Sequence, residues 1–138
     1  MRGALASTLV LAGAVPGLSA CAAGDAAGGP AGQADRGAYR GVTVAPLDAA
    51  LFGFRAEMRG RGAGRETVAA YARCGAAGYA LSRGFGFVRH LRTNVAEKGG
   101  IWTADAVYTI SPGLPGGVAA IDAEVAVADC EEQGIPTA

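Results

Sequence analysis

The chain has 138 residues, with Lys+Arg and Asp+Glu at 12 each and a single histidine. That length suits one domain, and a formal net charge of zero argues against a general nucleic-acid binder, which would carry a basic excess. Hydrophobic residues reach 51%, but many are alanine, and 23 glycines add no side-chain volume; the core is therefore expected to be thin and in need of extra stabilisation.

The zero balance hides an asymmetry. From Tyr39 to Gly100 there are ten Lys/Arg and four acids (Asp48, Glu57, Glu66 and Glu97). From Ile101 to Ala138 there are six acids (Asp105, Asp122, Glu124, Asp129, Glu131 and Glu132) and no Lys/Arg. Halves charged in this way are expected to fold against each other and pair across strands. A dipolar binding surface is the alternative.

Residues 1–20 read as a secretory signal. Arg2 and the starting amine are positive, residues 4–15 are apolar, and Pro16-Gly17 breaks any helix. The run is too short for a membrane span. It ends in Leu18-Ser19-Ala20-Cys21, an apolar residue, two small ones and a cysteine, which resembles the lipobox of bacterial lipoproteins. The resemblance implies a diacylglycerol on the Cys21 sulfur, cleavage just before it and acylation of the new amine. Two or three acyl chains hold far more firmly than one, since each buried CH₂ adds about 0.8 kcal/mol. The same resemblance implies a cell-envelope protein facing the periplasm, with Ala22 directing it to the outer membrane. An ordinary signal peptide cut at Ala20-Cys21-Ala22 is the other reading. Residues 21–38 would be the lipidated cysteine and an Ala/Gly tether.

Residues 39–138 read as a single folded domain. Residues 41–45 alternate weakly and stop at Pro46, as a short edge strand or an extended lead-in would. Residues 51–60 alternate well, with Phe52, Phe54, Ala56 and Met58 on one face and Arg55, Glu57 and Arg59 on the other, as in a half-buried strand. Residues 65–84 form a helix with Val68, Tyr71, Ala72, Gly75 and Tyr79 on one stripe and Gly84 as its stop. Gly75 and Gly78 cost about 1 kcal/mol each relative to Ala, which close packing of the helix on a sheet would offset.

A strand follows over residues 85–95, with a bulge expected around Arg89 and His90. Residues 97–100 are a hairpin turn. Residues 101–110 alternate again, with Trp102, Ala104, Ala106, Tyr108 and Ile110 inward. Residues 118–130 are expected to be a last strand, with Ile121, Ala123, Val125 and Val127 inward and Asp122 and Glu124 outward. The order strand–helix–strand–strand–strand argues for α+β, a small antiparallel sheet of four to five strands with one long helix on one face.

Thr67, Val68, Tyr71, Gly84, Phe85 and Phe87 stand where a "T-V…Y…A" helix is followed by "G-[FY]-x-[FY]". Over Arg65–Arg92 this resembles small uncharacterised envelope lipoproteins of alphaproteobacteria. That family has no assigned activity, so the resemblance implies a fold and no chemistry.

With Cys21 lipidated, Cys74 and Cys130 remain, and in an oxidising envelope they read as one disulfide. Its chain-entropy contribution would be roughly 4 kcal/mol. Free thiols and metal ligands are the alternatives, although no CxxC and no second histidine support a zinc site. His90 lies between Arg89 and Arg92 with no local carboxylate to orient it as a general base, and it reads as a strand-surface histidine. Ser82 and Ser111 occupy no nucleophile elbow, and "GRGAGRE" and "RGFGF" read as turns rather than phosphate loops. Arg55, Arg59, Arg61, Arg65, Arg89 and Arg92 could together hold an anion such as a phosphate, a lipid headgroup or a glycan carboxylate.

These features predict a lipid-anchored envelope protein without catalytic residues, metal or cofactor. Its expected partners are the membrane, through Cys21, and an envelope protein that it supports or recruits. The alternative is an anion-binding module using the arginines.

Overall fold

The computed structural model describes residues 35–137, apart from Pro115, Gly117 and Val118. Cys21 and the expected signal and tether up to residue 34 lie outside the described residues. After a short 3₁₀ turn at Arg36–Ala38, the elements are β1 (Tyr39–Pro46), β2 (Leu51–Arg59), α1 (Arg65–Ser82), β3 (Phe87–Lys98), β4 (Ile101–Ser111), β5 (Ile121–Asp122) and α2 (Ala123–Glu132). The fold is α+β. Its five strands form one antiparallel sheet in the order β1-β2-β4-β3-β5. β2 and β3 both run antiparallel to the β4 between them, so α1 crosses over β4 to connect two parallel strands.

Two expectations are corrected. The order is strand–strand–helix–strand–strand–strand–helix, because residues 39–46 pair along β2, with Arg40 alone left out of register. Residues 118–130 are not one strand: only Ile121 and Asp122 pair with β3, and the chain then turns into α2. The Asp122 carboxylate starts that helix by accepting hydrogen bonds from the backbone N–H groups of Glu124 and Val125, at 2.9 and 3.1 Å, which satisfies donors that the first turn would otherwise leave open. Ala123, Ala126 and Cys130 are buried at helical spacing, while Val125, expected inside, is 59% exposed.

Helix ends are set by glycine. Gly84 takes a positive φ of +80°; its N–H donates to the Leu81 carbonyl, and that of Phe85 to the Ala80 carbonyl. Gly134 (φ +70°) ends α2 in the same way, with Ile135 donating to the Cys130 carbonyl. Both are Schellman closures. The β3–β4 hairpin turns on Gly99 and Gly100, both at positive φ, as a two-residue turn matched to strand twist requires.

The core lies between α1 and one face of the sheet. Phe54, Met58, Val68 and Val88 supply bulk, and Ala56, Ala72, Ala76, Ala104 and Ala106 line the contact. Alanine on both sides lets helix and sheet approach closely. Gly75 extends that approach to Val42 of β1, whereas Gly78 faces Thr137 of the C-terminal tail rather than the sheet. α2 packs against α1. There the sulfurs of Cys74 and Cys130 meet at bonding distance, with Cα atoms 6.0 Å apart.

Candidate functional site

The two faces of the sheet differ. α1 covers the inner face, and no described helix packs on the outer one. Strand alternation and register place Arg55 and Arg59 of β2, Arg89, Arg92 and Lys98 of β3, Glu57 of β2 and Asp105 of β4 on the outer face. Cations outnumber acids there. The Arg55 guanidinium bonds both carboxylate oxygens of Asp105 across the strands, at 3.0 and 3.1 Å, and its Nε lies 3.5 Å from Glu57. With side chains about half exposed, such a pair is worth at most about 1 kcal/mol.

Charge pairing across strands is therefore met at one place among the described residues. Of the six acids after Ile101, Asp105 pairs with an arginine, Asp122 caps α2, and Glu124, Asp129, Glu131 and Glu132 lie exposed on α2. The outer sheet face is basic and α2 is acidic. The domain is dipolar.

The structure separates the six arginines singled out in the sequence, all of which are exposed. Arg59 shares a row with Ile101 and Lys98, at the end of the sheet where Arg61 lies in the turn and Arg65 starts α1. Arg92 shares its row with Val107 and Arg89 with Thr109. Six residues along β4 separate the rows of Arg59 and Arg92, or about 20 Å at 3.4 Å per residue. Arg55 lies between the two groups, held by its acids. A shallow cavity of about 430 Å³ borders it, between Lys98, Ile101 and Thr103.

A second concavity, of about 410 Å³, opens on the other side of the sheet between α1 and β3. The expected bulge builds it. Residue pairing with β4 passes from His90↔Tyr108 to Arg92↔Val107, so Leu91 is the extra residue. Without it His90 and Thr93 would point to opposite faces; with it both point inward, and His90 Nε2 lies 2.7 Å from Thr93 Oγ1. The His90 and Tyr108 rings are 5.1 Å apart. Tyr108 is only 3% exposed, and burial pushes its phenol up to about 12, opposed in part by the nearby Arg73 charge.

His90 is exposed on its strand, as expected, and it shares a cleft with Thr93, three residues along β3, and with Arg73 and Tyr108 from α1 and β4. No local motif links these positions, and the bulge expected around Arg89 and His90 was the one sequence signal near the cleft. Ser82 and Ser111 spend their hydroxyls on the carbonyls of Tyr79 and Gly113. The glycine-rich stretches are turns, with Gly60 and Gly62 at positive φ.

A family model described as the YNQ4 C-terminal domain matches residues 39–134. An uncharacterized 26.9 kDa protein in the nqo8 5′ region of Paracoccus denitrificans is 30% identical over 112 residues, covering 77% of this chain and 44% of that protein. The chain thus spans less than half the length of this relative. No solved structure matches it significantly.

Proposed function

The chain belongs to the YNQ4 C-terminal domain family, and from that premise we propose that it is a lipid-anchored accessory of the bacterial cell envelope. It faces the periplasm from the outer membrane and holds a protein partner on the outer face of its sheet, without catalysis. The observation that carries this reading is the basic sheet face opposite the helix layer, on which no described helix packs. A sheet face of this kind presents a rigid surface, and its charge steers a partner of opposite sign into register. The lipobox at Leu18–Cys21 and the Ala/Gly tether support the anchor.

Photo-crosslinkers placed at Thr103 on the outer face and at Asp129 on α2, in native membranes, test the surface. A stoichiometric protein adduct from Thr103 and none from Asp129 is expected; the opposite pattern, or no adduct, overturns the reading. A Cys21→Ser variant should lose fatty-acid label and leave the membrane fraction, and its retention there with no label would remove the anchor.

The second reading, capture of an anionic envelope ligand (a phosphate, lipid headgroup or glycan), is supported by the two arginine groups rather than by one continuous face. Charge reversal at Arg59 and Arg89 together should then abolish retention of that ligand.

A further inference from the structure

The cleft between α1 and β3 lies on the opposite side of the sheet from the surface proposed for a partner, and its chemistry differs. Small-molecule sites are typically concavities of about 300–1,000 Å³, lined mostly by apolar groups with a few convergent polar ones. This cleft, at about 410 Å³, has that make-up: Ala69 and Ala70 of α1 and Ile121 of β5 form the apolar wall, and Arg73, His90, Thr93 and Tyr108 supply the polar groups. None of its lining residues is acidic. Among the described residues, Arg73 makes no ion pair.

We propose that this cleft binds a small organic carboxylate, with the anionic head on the Arg73 guanidinium beside His90 and Thr93, and a short apolar body over Ala69, Ala70 and Ile121. A guanidinium matches a carboxylate in two parallel hydrogen bonds. One permanent cation in a mostly apolar cleft suits a monoanion, whereas a phosphate dianion would need more charge and more donors. Tyr108 keeps its proton far into the alkaline range because it is buried, so its hydroxyl is available as a donor to the same head. The bulge at Leu91 fits this role, since it turns His90 and Thr93 to one side, and bulges recur where a strand must re-aim a side chain beside a site.

The test is an NMR titration of the full-length protein with benzoate, and separately with benzyl alcohol and inorganic phosphate. Benzoate should give saturable shifts confined to the amides of Ala69, Ala70, Arg73, His90 and Thr93. Arg73→Gln should weaken it about tenfold, the loss expected for one charge-assisted contact. Arg83→Gln, at the far end of α1 where the guanidinium stacks on Tyr79, should bind as the parent does. Should Arg73→Gln fail to fold, Thr93→Val serves as the second variant, with a smaller loss. Absence of saturation, equal response to benzyl alcohol or phosphate, or unchanged affinity in the cleft variants would overturn the proposal.

Discussion

Gly75 of α1 lies against Val42 of β1 so closely that a methyl group at residue 75 would come within 2.9 Å of the valine Cγ1. β1 is an edge strand, bonded to β2 alone, and the helix meets it here and at the Tyr39–Tyr71 ring pair. Gly75→Ala gains about 1 kcal/mol of helix propensity but overpacks a stiff, β-branched neighbour, at a cost of about 1–3 kcal/mol. A net loss of about 1 kcal/mol is expected, read as a lower midpoint in urea. Adding Val42→Ala should recover part of it, so the double variant is more stable than the sum of the single losses. Strict additivity would show that the contact carries no strain.

The Cys74–Cys130 link ties α2 to α1 across a sequence separation of 56 residues. A loop of that size constrains the unfolded chain by roughly 4 kcal/mol, a large share of the stability of a small domain. Thermal melting with and without reductant should therefore show a fall of well over ten degrees, given about 4–8 °C per kcal/mol for domains of this size. Mass analysis of the oxidised protein should find no free thiol at these two positions. Two free thiols would leave α2 held by packing alone.

Tyr108 predicts the alkaline limit. Its folded-state value is raised from 10.0 to about 12 by burial, so the folded state favours the protonated phenol. The sign follows: this contribution is fully present below pH 10 and is lost as pH rises from about 10 to 12. At 1.36 kcal/mol per pH unit it amounts to about 2–3 kcal/mol. Tyr39 and Tyr71, also raised by burial and edge-to-face at 4.8 Å, add to the same slope. Urea midpoints measured across pH 9–12 should fall steeply, and Tyr108→Phe should flatten much of the decline.

The elements legible in the sequence were those with large apolar residues at one clear period. Phe52, Phe54 and Met58 could only be a strand face, and Trp102, Tyr108 and Ile110 likewise. Val68, Tyr71 and Tyr79 marked α1, and Gly84 and the turn read at residues 97–100 marked chain reversals that need positive φ, although Glu97 and Lys98 belong to β3 and only Gly99 and Gly100 turn. Failure came where alanine carried the pattern. In "IDAEVAVADC" small apolar residues alternate with acids, and alanine fits the inside of a strand or a helix equally well, so period 2 and period 3.6 were both satisfied. The decisive signals were chemical: an aspartate ahead of a helix-forming run, and Gly134 just past its end. The cleft was hidden for another reason. Arg73, His90, Thr93 and Tyr108 come from three elements, and a one-residue bulge decides that two of them face the same way.

Asp122 is therefore the residue on which the identity of this last segment turns. Its side chain accepts from two backbone N–H groups of the first turn of α2, while its own backbone belongs to the two-residue strand paired with Phe87. Asp122→Ala removes the cap and leaves the strand pairing possible, at a cost of about 1 kcal/mol. Asp122→Asn keeps an oxygen acceptor and should lose only a few tenths, the difference reporting the negative charge at the helix N-terminus. Because the disulfide holds α2 to α1 near its other end, the loss should appear as faster amide exchange at Glu124 and Val125 before any fall in global stability. Equal exchange in Asp122→Ala and the parent protein would show that the Cys130 link, rather than the cap, fixes the helix.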